Sequence, residues 1–479
     1  MAKLLRYEPH SHCGRGSNLR LLDSINRPED LIDRAIELGL AGIAITDHEC
    51  LSSIPKAFQH FDKIHESNPS FKVVAGDEIY LCGSREPGQK YYHFILNAKN
   101  AKGWRALKEL SSRAWIRSYY DRGMERVPVL YDELEAIVRK YPNSLIATTA
   151  CLGGELSVSV LDLINAEKTG DNALAVRSHD NIVNFMLWNK GLFGEDFYIE
   201  IAPGRSKEQL MVNDRLKSIA EAFHTKIVIG TDAHYLKKED RYVHSSYLNS
   251  KGGEREVDAF YEYAYLQSDE EIRKNLEGLD FDIDELYENS LEIYDKCEMY
   301  SIWHNQTIPS IDVYEYPMSA SKMDDYAESH YPVLCEMTRS DDKYNRYWVN
   351  ECLIKLEETD RYNDVYLARL EEEATTKKII SEKLGTNIFK YPIVLQHYID
   401  MFWECGSMVG AGRGSSCSGL NHELLGVTQL DPIKWNLPWF RYLNEDRIEL
   451  PDIDIDLAPS KRPAIFKAIR EERGEFGLV

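Results

Sequence analysis

The sequence predicts an α/β chain: a mainly parallel sheet or barrel over roughly the first half, then acidic helices, then a short segment with a chemistry of its own. Three observations predict it. Short β-branched runs alternate with helical stretches up to about residue 235, the texture turns acidic and helical after about residue 240, and the last segment, from Tyr391, pairs a glycine-rich turn with a row of aspartates. At 479 residues, 43% of them hydrophobic and 11% aromatic, the chain is too long for one ordinary domain and apolar enough to build real cores.

The expected strands are Ala41–Thr46, Phe71–Ala75, Tyr91–Leu96, Ser144–Thr149, Phe197–Ile201 and Lys226–Gly230. Between them lie helices. Pro28–Leu38 is the clearest, with Pro in the first turn, the i,i+4 pairs Leu31/Ala35 and Ile32/Ile36, and Gly39 where a C-cap belongs. Later helices are expected at Asp269–Asn275, Asp282–Met299 and Tyr366–Leu384, and the turn-rich stretch Ile308–Ser321 is the expected domain boundary. Repeated βα units place chemistry at the C-terminal ends of the strands.

Composition narrows the function. A net charge of −22 excludes a protein that holds nucleic acid by bulk charge, though not a local basic groove. No run approaches the roughly 18 apolar residues of a membrane span, and the first residues reach charge and Pro9 before a signal-peptide core forms, which predicts a cytoplasmic protein without membrane attachment. Nine cysteines, an odd number without CxxC spacing, argue against a disulfide framework or zinc ribbon and are expected to be mostly reduced and buried.

Histidines and carboxylates gather at predicted strand ends. His10 and His12 lie two apart on an extended segment, so both leave the same face, suited to chelating one ion. Asp47-His48, Asp77-Glu78 and Asp232-x-His234 each follow a strand, His93 lies within one, and Cys151 ends one. A single such residue is more often a surface residue or a cap; a set spread over seven strand ends is not. Mixed imidazole and carboxylate donors suit Zn, Mn or Fe, and their number points to two or three ions that activate water and clamp phosphate oxygens.

The second constellation begins with Val409-Gly-Ala-Gly-Arg-Gly-Ser-Ser416, in which Gly410, Gly412 and Gly414 let the backbone approach a ligand while Arg413 and two hydroxyls face it, a phosphate cradle without the Walker lysine. About forty residues on, Pro451-Asp-Ile-Asp-Ile-Asp-Leu457 alternates strictly, so Asp452, Asp454 and Asp456 are expected on one face of a strand. Stacked carboxylates repel unless cations lie between them, most plausibly Mg²⁺, which equips the segment for two-metal phosphoryl transfer. A solvated acidic edge strand is the alternative.

Both constellations carry a family resemblance. His10-Ser-His12, Thr46-Asp-His48, Gly76-Asp-Glu78, His93, Ala150-Cys-Leu-Gly-Gly-Glu155 and Gly230-Thr-Asp-Ala-His-Tyr235 resemble the polymerase-and-histidinol-phosphatase (PHP) domain that begins the alpha subunit of bacterial DNA polymerase III. Gly410-Ala-Gly-Arg-Gly-Ser415, Leu425–Pro432, Arg441–Asn444 and Pro451–Asp456 followed by Lys461-Arg462 resemble the palm of the same C-family polymerase, in the same order. The resemblance implies a distorted seven-stranded βα barrel with a trinuclear site built from His10, His12, Asp23, His48, Glu78, His93, Cys151, Asp232 and His234, with Asp47 as a supporting partner or strand cap. It further implies Asp452 and Asp454 as catalytic Mg²⁺ carriers, with Asp456 a further candidate, and Gly412, Arg413, Gly414, Ser415 and Ser416 as contacts to an incoming triphosphate. The implied organisation is a PHP domain over 1–240, a helical connecting segment over 241–310 and a partial nucleotidyltransferase-like α+β palm over 311–479.

The sequence departs from the family at Ala411, where a proline is usual, at Ser416-Cys-Ser-Gly-Leu420, and at Phe440, where a glutamate is usual, which marks a divergent, phage-type member. The family's third catalytic aspartate, its fingers, clamp-binding segment and C-terminal region have no counterpart here. The expectation is a replicative DNA polymerase with 3′–5′ exonuclease proofreading, acting on primer-template DNA and deoxynucleoside triphosphates. A second polypeptide would complete it, and the sliding clamp would bind through the missing part. A truncated gene product is another explanation of the length. A free-standing PHP phosphoesterase or exonuclease and a non-catalytic polymerase scaffold are the rivals.

Overall fold

The computed structural model describes all residues except 1–4, 15–23, 87, 122–123, 251–258, 305–306, 319–324 and 474–479. Two compact units result, one reaching Trp303 and the other beginning at His304, ahead of the Ile308–Ser321 stretch. Residues 241–303 thus belong with the strands rather than with the second unit.

The first unit contains β1 (Tyr7–Glu8), β2 (Gly42–Ile45), β3 (Lys72–Cys82), β4 (Tyr92–Ala98), β5 (Tyr119–Asp121), β6 (Met124–Arg126), β7 (Val129–Leu130), β8 (Leu145–Thr148), β9 (Phe197–Ile201) and β10 (Ile227–Ile229). Seven of them follow one path, β1-β2-β3-β4-β8-β9-β10. A bridge between Ser11 and Ala233, with His12 N–H donating to the Ala233 carbonyl at 3.1 Å, brings the two ends of that path together and nearly closes a barrel. Neighbours run parallel except at β4, which is antiparallel to both β3 and β8. Strand β7 pairs the end of β3, and β5 with β6 forms a separate hairpin.

Alternation along the strands sorts the core. Ile43, Ile45, Val73, Ala75, Ala147, Ile199 and Ile201 pack beneath the surrounding helices, while Tyr7, Ala44, Val74, Ile146, Tyr198 and Val228 form a separate cluster closed by Ile293 and Cys297. The helix Pro28–Glu37 buries Leu31, Ile32 and Ala35 as its spacing predicts, and Gly39 ends it at φ +74°, its N–H bonded to the Ile36 carbonyl. Asp269–Asn275 forms as expected; the next two helices begin at caps, Asp282 accepting from the Asp284 and Glu285 N–H groups ahead of Ile283–Lys296, and Asn363 accepting from Val365 and Tyr366 ahead of Asp364–Leu384.

Two expectations about strands are corrected. Asp77 and Glu78 do not follow a strand but lie inside β3, because its second half gains a new ladder with β4 after the pairing with β2 stops at Ala75. The second unit is helical, its core built around Trp348, Leu356, Leu370, Ala374 and Ile380. Among the described residues it has no strand ladder, and the aspartate segment is extended but joined only by a bridge between Val409 and Leu457. An isolated bridge cannot propagate a sheet, although the alternation survives: Asp452, Asp454 and Asp456 are exposed, and Ile453 and Ile455 pack on the core. All nine cysteines are free, and seven are buried. Among the described residues no helix is long and apolar enough to cross a membrane.

Candidate metal centre and phosphate turn

The ends of the parallel strands converge on one cluster. His10 and His12 lie just past β1, His48 just past β2, Cys151 past β8, and Asp232 and His234 past β10. His93 reaches the same place for the opposite reason: β4 runs antiparallel, so its first residues lie where its neighbours finish. Eight of the nine expected ligands therefore meet; Asp23 lies outside the described residues.

The donor atoms point at one another. His10 Nε2 and His12 Nε2 are 2.9 Å apart, and both face Asp232 Oδ1, at 3.3 and 2.9 Å. Glu78 receives His12 Nε2 at 3.4 Å and His93 Nδ1 at 2.8 Å, and His48 Nδ1 lies closer still. Cys151 Sγ is 3.5 Å from His93 Nδ1, and the His234 ring sits 4.6 Å from that of His12. Donor atoms within each of the sets His12-His48-His234, His10-His12-Glu78 and His48-Glu78-His93 lie within 4.8 Å of one another. Both oxygens of Glu78 and Oδ1 of Asp232 are buried and take no well-aligned hydrogen bond from the described residues, despite the nitrogens around them. Buried carboxylate oxygens ringed by imidazole nitrogens at these distances fit the donor set of a bound cation.

The electrostatics agree. Burial would raise the carboxyls of Glu78 and Asp232, yet the surrounding histidines hold both below the usual carboxylate range. Burial, reinforced by His48 and His234, lowers His12 to about 3, whereas at His10 burial is outweighed by Asp232 and Glu200, which hold it up to about 10. Burial also pushes the Cys151 thiol up, so only a bound cation would favour its thiolate.

Two supporting residues escaped the sequence reading. Glu200, inside the apolar run of β9, accepts the His10 Nδ1 proton at 2.6 Å, which aims Nε2 at the cluster, where a cation would take the place of its proton. Space for that carboxylate exists because residue 230 is glycine: a Cβ there would lie 2.1 Å from Glu200 Oε1. Its signal was a lone carboxylate in an otherwise apolar strand, which a buried position tolerates only with a partner. Tyr80 stacks on His93 at 4.6 Å, its hydroxyl 3.3 Å from His48 Nδ1. Asp47 accepts the Cys13 N–H at 2.6 Å and so ties the His12 segment to the end of β2. Asp232 itself stands at φ +48°, a left-handed backbone that aims its carboxylate across the mouth.

In the second unit the glycine turn sits over the aspartates. Arg413 Nε is 3.5 Å from Asp454 Oδ2, Arg413 Nη1 is 3.4 Å from Asp456 Oδ1, and Gly410 N–H donates to the Asp456 carbonyl at 2.9 Å. Gly412 and Gly414 take φ of +123° and +64°, and a Cβ on Gly412 would press on Cys417 and Thr428 at 3.0–3.1 Å. Ser415 and Asp452 line a cleft of about 530 Å³ together with Arg441, Asn444 and Arg447. Ser416 behaves differently from expectation: it is buried, and its hydroxyl donates back to the Arg413 carbonyl at 2.7 Å, so it shapes the turn instead of facing a ligand. His422 supports the turn from below, its Nδ1 2.8 Å from the Ser416 carbonyl. Nothing in the sequence pattern had marked it.

Comparison with known proteins places both units. Residues 10–204 match the PHP domain, and residues 340–477 match the bacterial DNA polymerase III alpha NTPase domain. A DNA-directed DNA polymerase of Bacillus phage SPbeta is 36% identical over 495 residues, covering 97% of this chain and 37% of that protein. The DNA polymerase III alpha subunits of Borreliella burgdorferi and Campylobacter jejuni are 26% and 27% identical, covering 96% and 97% of this chain. The chain spans 36–37% of the length of these relatives. With a PHP domain followed by the alpha-subunit NTPase domain, the chain matches the N-terminal portion of the bacterial DNA polymerase III alpha subunit.

Proposed function

We propose that the barrel is a metal-dependent 3′–5′ exonuclease and that the second unit provides the triphosphate turn and catalytic aspartates of a template-directed DNA polymerase. In domain terms, the PHP domain runs over 1–240, a connecting segment over 241–310 and a partial palm over 311–479. The observation that carries the nuclease is the convergence of eight ligand-capable side chains, among them Glu78 and Asp232, whose buried oxygens take no well-aligned hydrogen bond from the described residues.

His10, His12, His48, Glu78, His93, Cys151, Asp232 and His234, with Asp23, would hold Zn, Mn or Fe, which supplies an activated water and a clamp for phosphate oxygens. Glu200 keeps His10 in one tautomer and orientation, and Gly230 leaves it room to do so. For synthesis, Asp452 and Asp454 would carry Mg²⁺, while Gly412, Arg413, Gly414 and Ser415 take the triphosphate; Ser416 acts through the shape of the turn. Primer-template DNA and deoxynucleoside triphosphates are the substrates. A second polypeptide and the sliding clamp are the proposed protein partners; the enzyme works in the cytoplasm.

The test is a labelled primer with a mispaired 3′ end, incubated with the chain, all four nucleotides, Mg²⁺ and either Mn²⁺ or Zn²⁺. Shortening that disappears in His12→Ala is the expected result. Turnover of small phosphate esters without shortening would identify a free-standing phosphatase, and metal-dependent melting with no turnover would identify a scaffold; either overturns the nuclease.

A further inference from the structure

We propose that Tyr91, Tyr119 and Arg126 form a subsite at the barrel mouth that grips the nucleotide next to the scissile phosphate, so that the site takes a single-stranded 3′ terminus. This rests on the nuclease reading of the barrel and names its substrate form.

Three observations meet here. Tyr91 immediately precedes β4, two residues before His93, so its side chain leaves the same side of the chain about 6.6 Å further out, roughly the step from one nucleotide to the next. The β5–β6 hairpin is rooted at the metal cluster, because Trp115 Nε1 before it and Val127 N–H after it both bond Glu49, to its carbonyl at 2.8 Å and its carboxylate at 3.2 Å, and Glu49 adjoins the ligand His48. Tyr119 and Arg126 face each other across that hairpin; the Tyr119 hydroxyl hydrogen-bonds that of Tyr91, and the Arg126 guanidinium lies over the Tyr91 ring, 5.3 Å from its centre.

Arg126 is the informative residue. Two other arginines of this region are used internally: Arg85 and Arg117 both pair with Glu133 at 2.6 Å. Among the described residues no carboxylate lies within ion-pair distance of Arg126, and its Nε is buried without a hydrogen-bond partner. In a chain of net charge −22, an arginine set over an aromatic ring beside a phosphoesterase centre, with no acidic partner among the described residues, fits a phosphate. The flanking tyrosines supply faces for an unpaired base, which a duplex end keeps stacked inside.

The full chain is tested with a fluorescent single-stranded oligonucleotide whose 3′-terminal linkages are phosphorothioate, in Mn²⁺, by anisotropy across a salt series. Arg126→Ala should weaken binding at least fivefold and flatten the log–log salt slope by about 0.7, the loss of one single-strand phosphate contact. Arg126→Lys should retain the slope while losing affinity. A 4-thiothymidine placed second from the 3′ end should cross-link to Tyr91 or Tyr119. Tyr119→Phe, which keeps the ring, should weaken binding less than Arg126→Ala, and melting temperatures establish that each variant folds. Unchanged affinity and slope in Arg126→Ala, equal binding of a blunt duplex, or cross-links only elsewhere overturns the subsite. Failure of the nuclease reading shows separately, as wild-type chain that binds and cross-links but never shortens an unmodified strand.

Discussion

Glu200 Oε1 accepts the Nδ1 proton of His10 at 2.6 Å, so a carboxylate on one strand sets the direction of a ring nitrogen just past the end of another. Glu200→Gln retains size and an acceptor but removes the charge that holds His10. Metal affinity is expected to fall about 10–100-fold, as for other carboxylate–histidine pairs behind a metal. Metal content after dialysis against a graded chelator measures it, independently of activity.

Gly230→Ala tests the same pair from the other side. The added Cβ would lie 2.1 Å from Glu200 Oε1 and 2.4 Å from its carboxyl carbon, so the carboxylate must abandon His10. Overpacking of this kind costs about 1–3 kcal/mol, and the metal loss should match that of Glu200→Gln. Gly191→Ala is the control: a Cβ there meets nothing within 4 Å in the helix Asn172–Phe193, and the melting temperature should hold or rise.

Stability of the second unit should fall in mild acid because of His422. Burial, with Lys377 beside it, lowers this imidazole to about 3, against about 6.5 when unfolded. Above pH 6.5 neither state is protonated and the group contributes no pH dependence. Between 6.5 and about 3 only the unfolded state takes the proton, so stability drops by about 1.4 kcal/mol per pH unit. Denaturant unfolding at pH 7 and pH 5 should show this drop, reduced in His422→Gln.

In the completed polymerase, Arg413→Ala is expected to lower synthesis about 10²–10³-fold through the triphosphate, consistent with its place 3.5 Å from Asp454. Asp454→Asn should abolish synthesis while leaving primer shortening intact. Primer-extension rates across nucleotide concentration separate the two, and wild-type synthesis by Asp454→Asn would refute the assignment.

Much of the metal centre is legible in the sequence because ligands are chemically distinctive and strand ends are local events. His48, Cys151, Asp232 and His234 all stand just past runs of apolar residues that form strands, and His10 and His12 keep the two-residue spacing of an extended segment. The strict alternation Asp452-Ile-Asp-Ile-Asp456 likewise predicts which side chains stay exposed, since period-two geometry belongs to the extended backbone itself. What depends on a partner far along the chain is not legible. The reversed direction of β4 that delivers His93, the reach of β3 past Ala75, and the single bridge that joins the aspartate segment among the described residues all turn on which segments pair. Glu200 and His422 read as ordinary members of their segments until His10, Gly230 and Ser416 arrive beside them. Residue type and local period are properties of a few neighbouring residues, whereas strand direction, burial and the partner of a charge are set by contacts across the whole barrel, and only the packed chain supplies those.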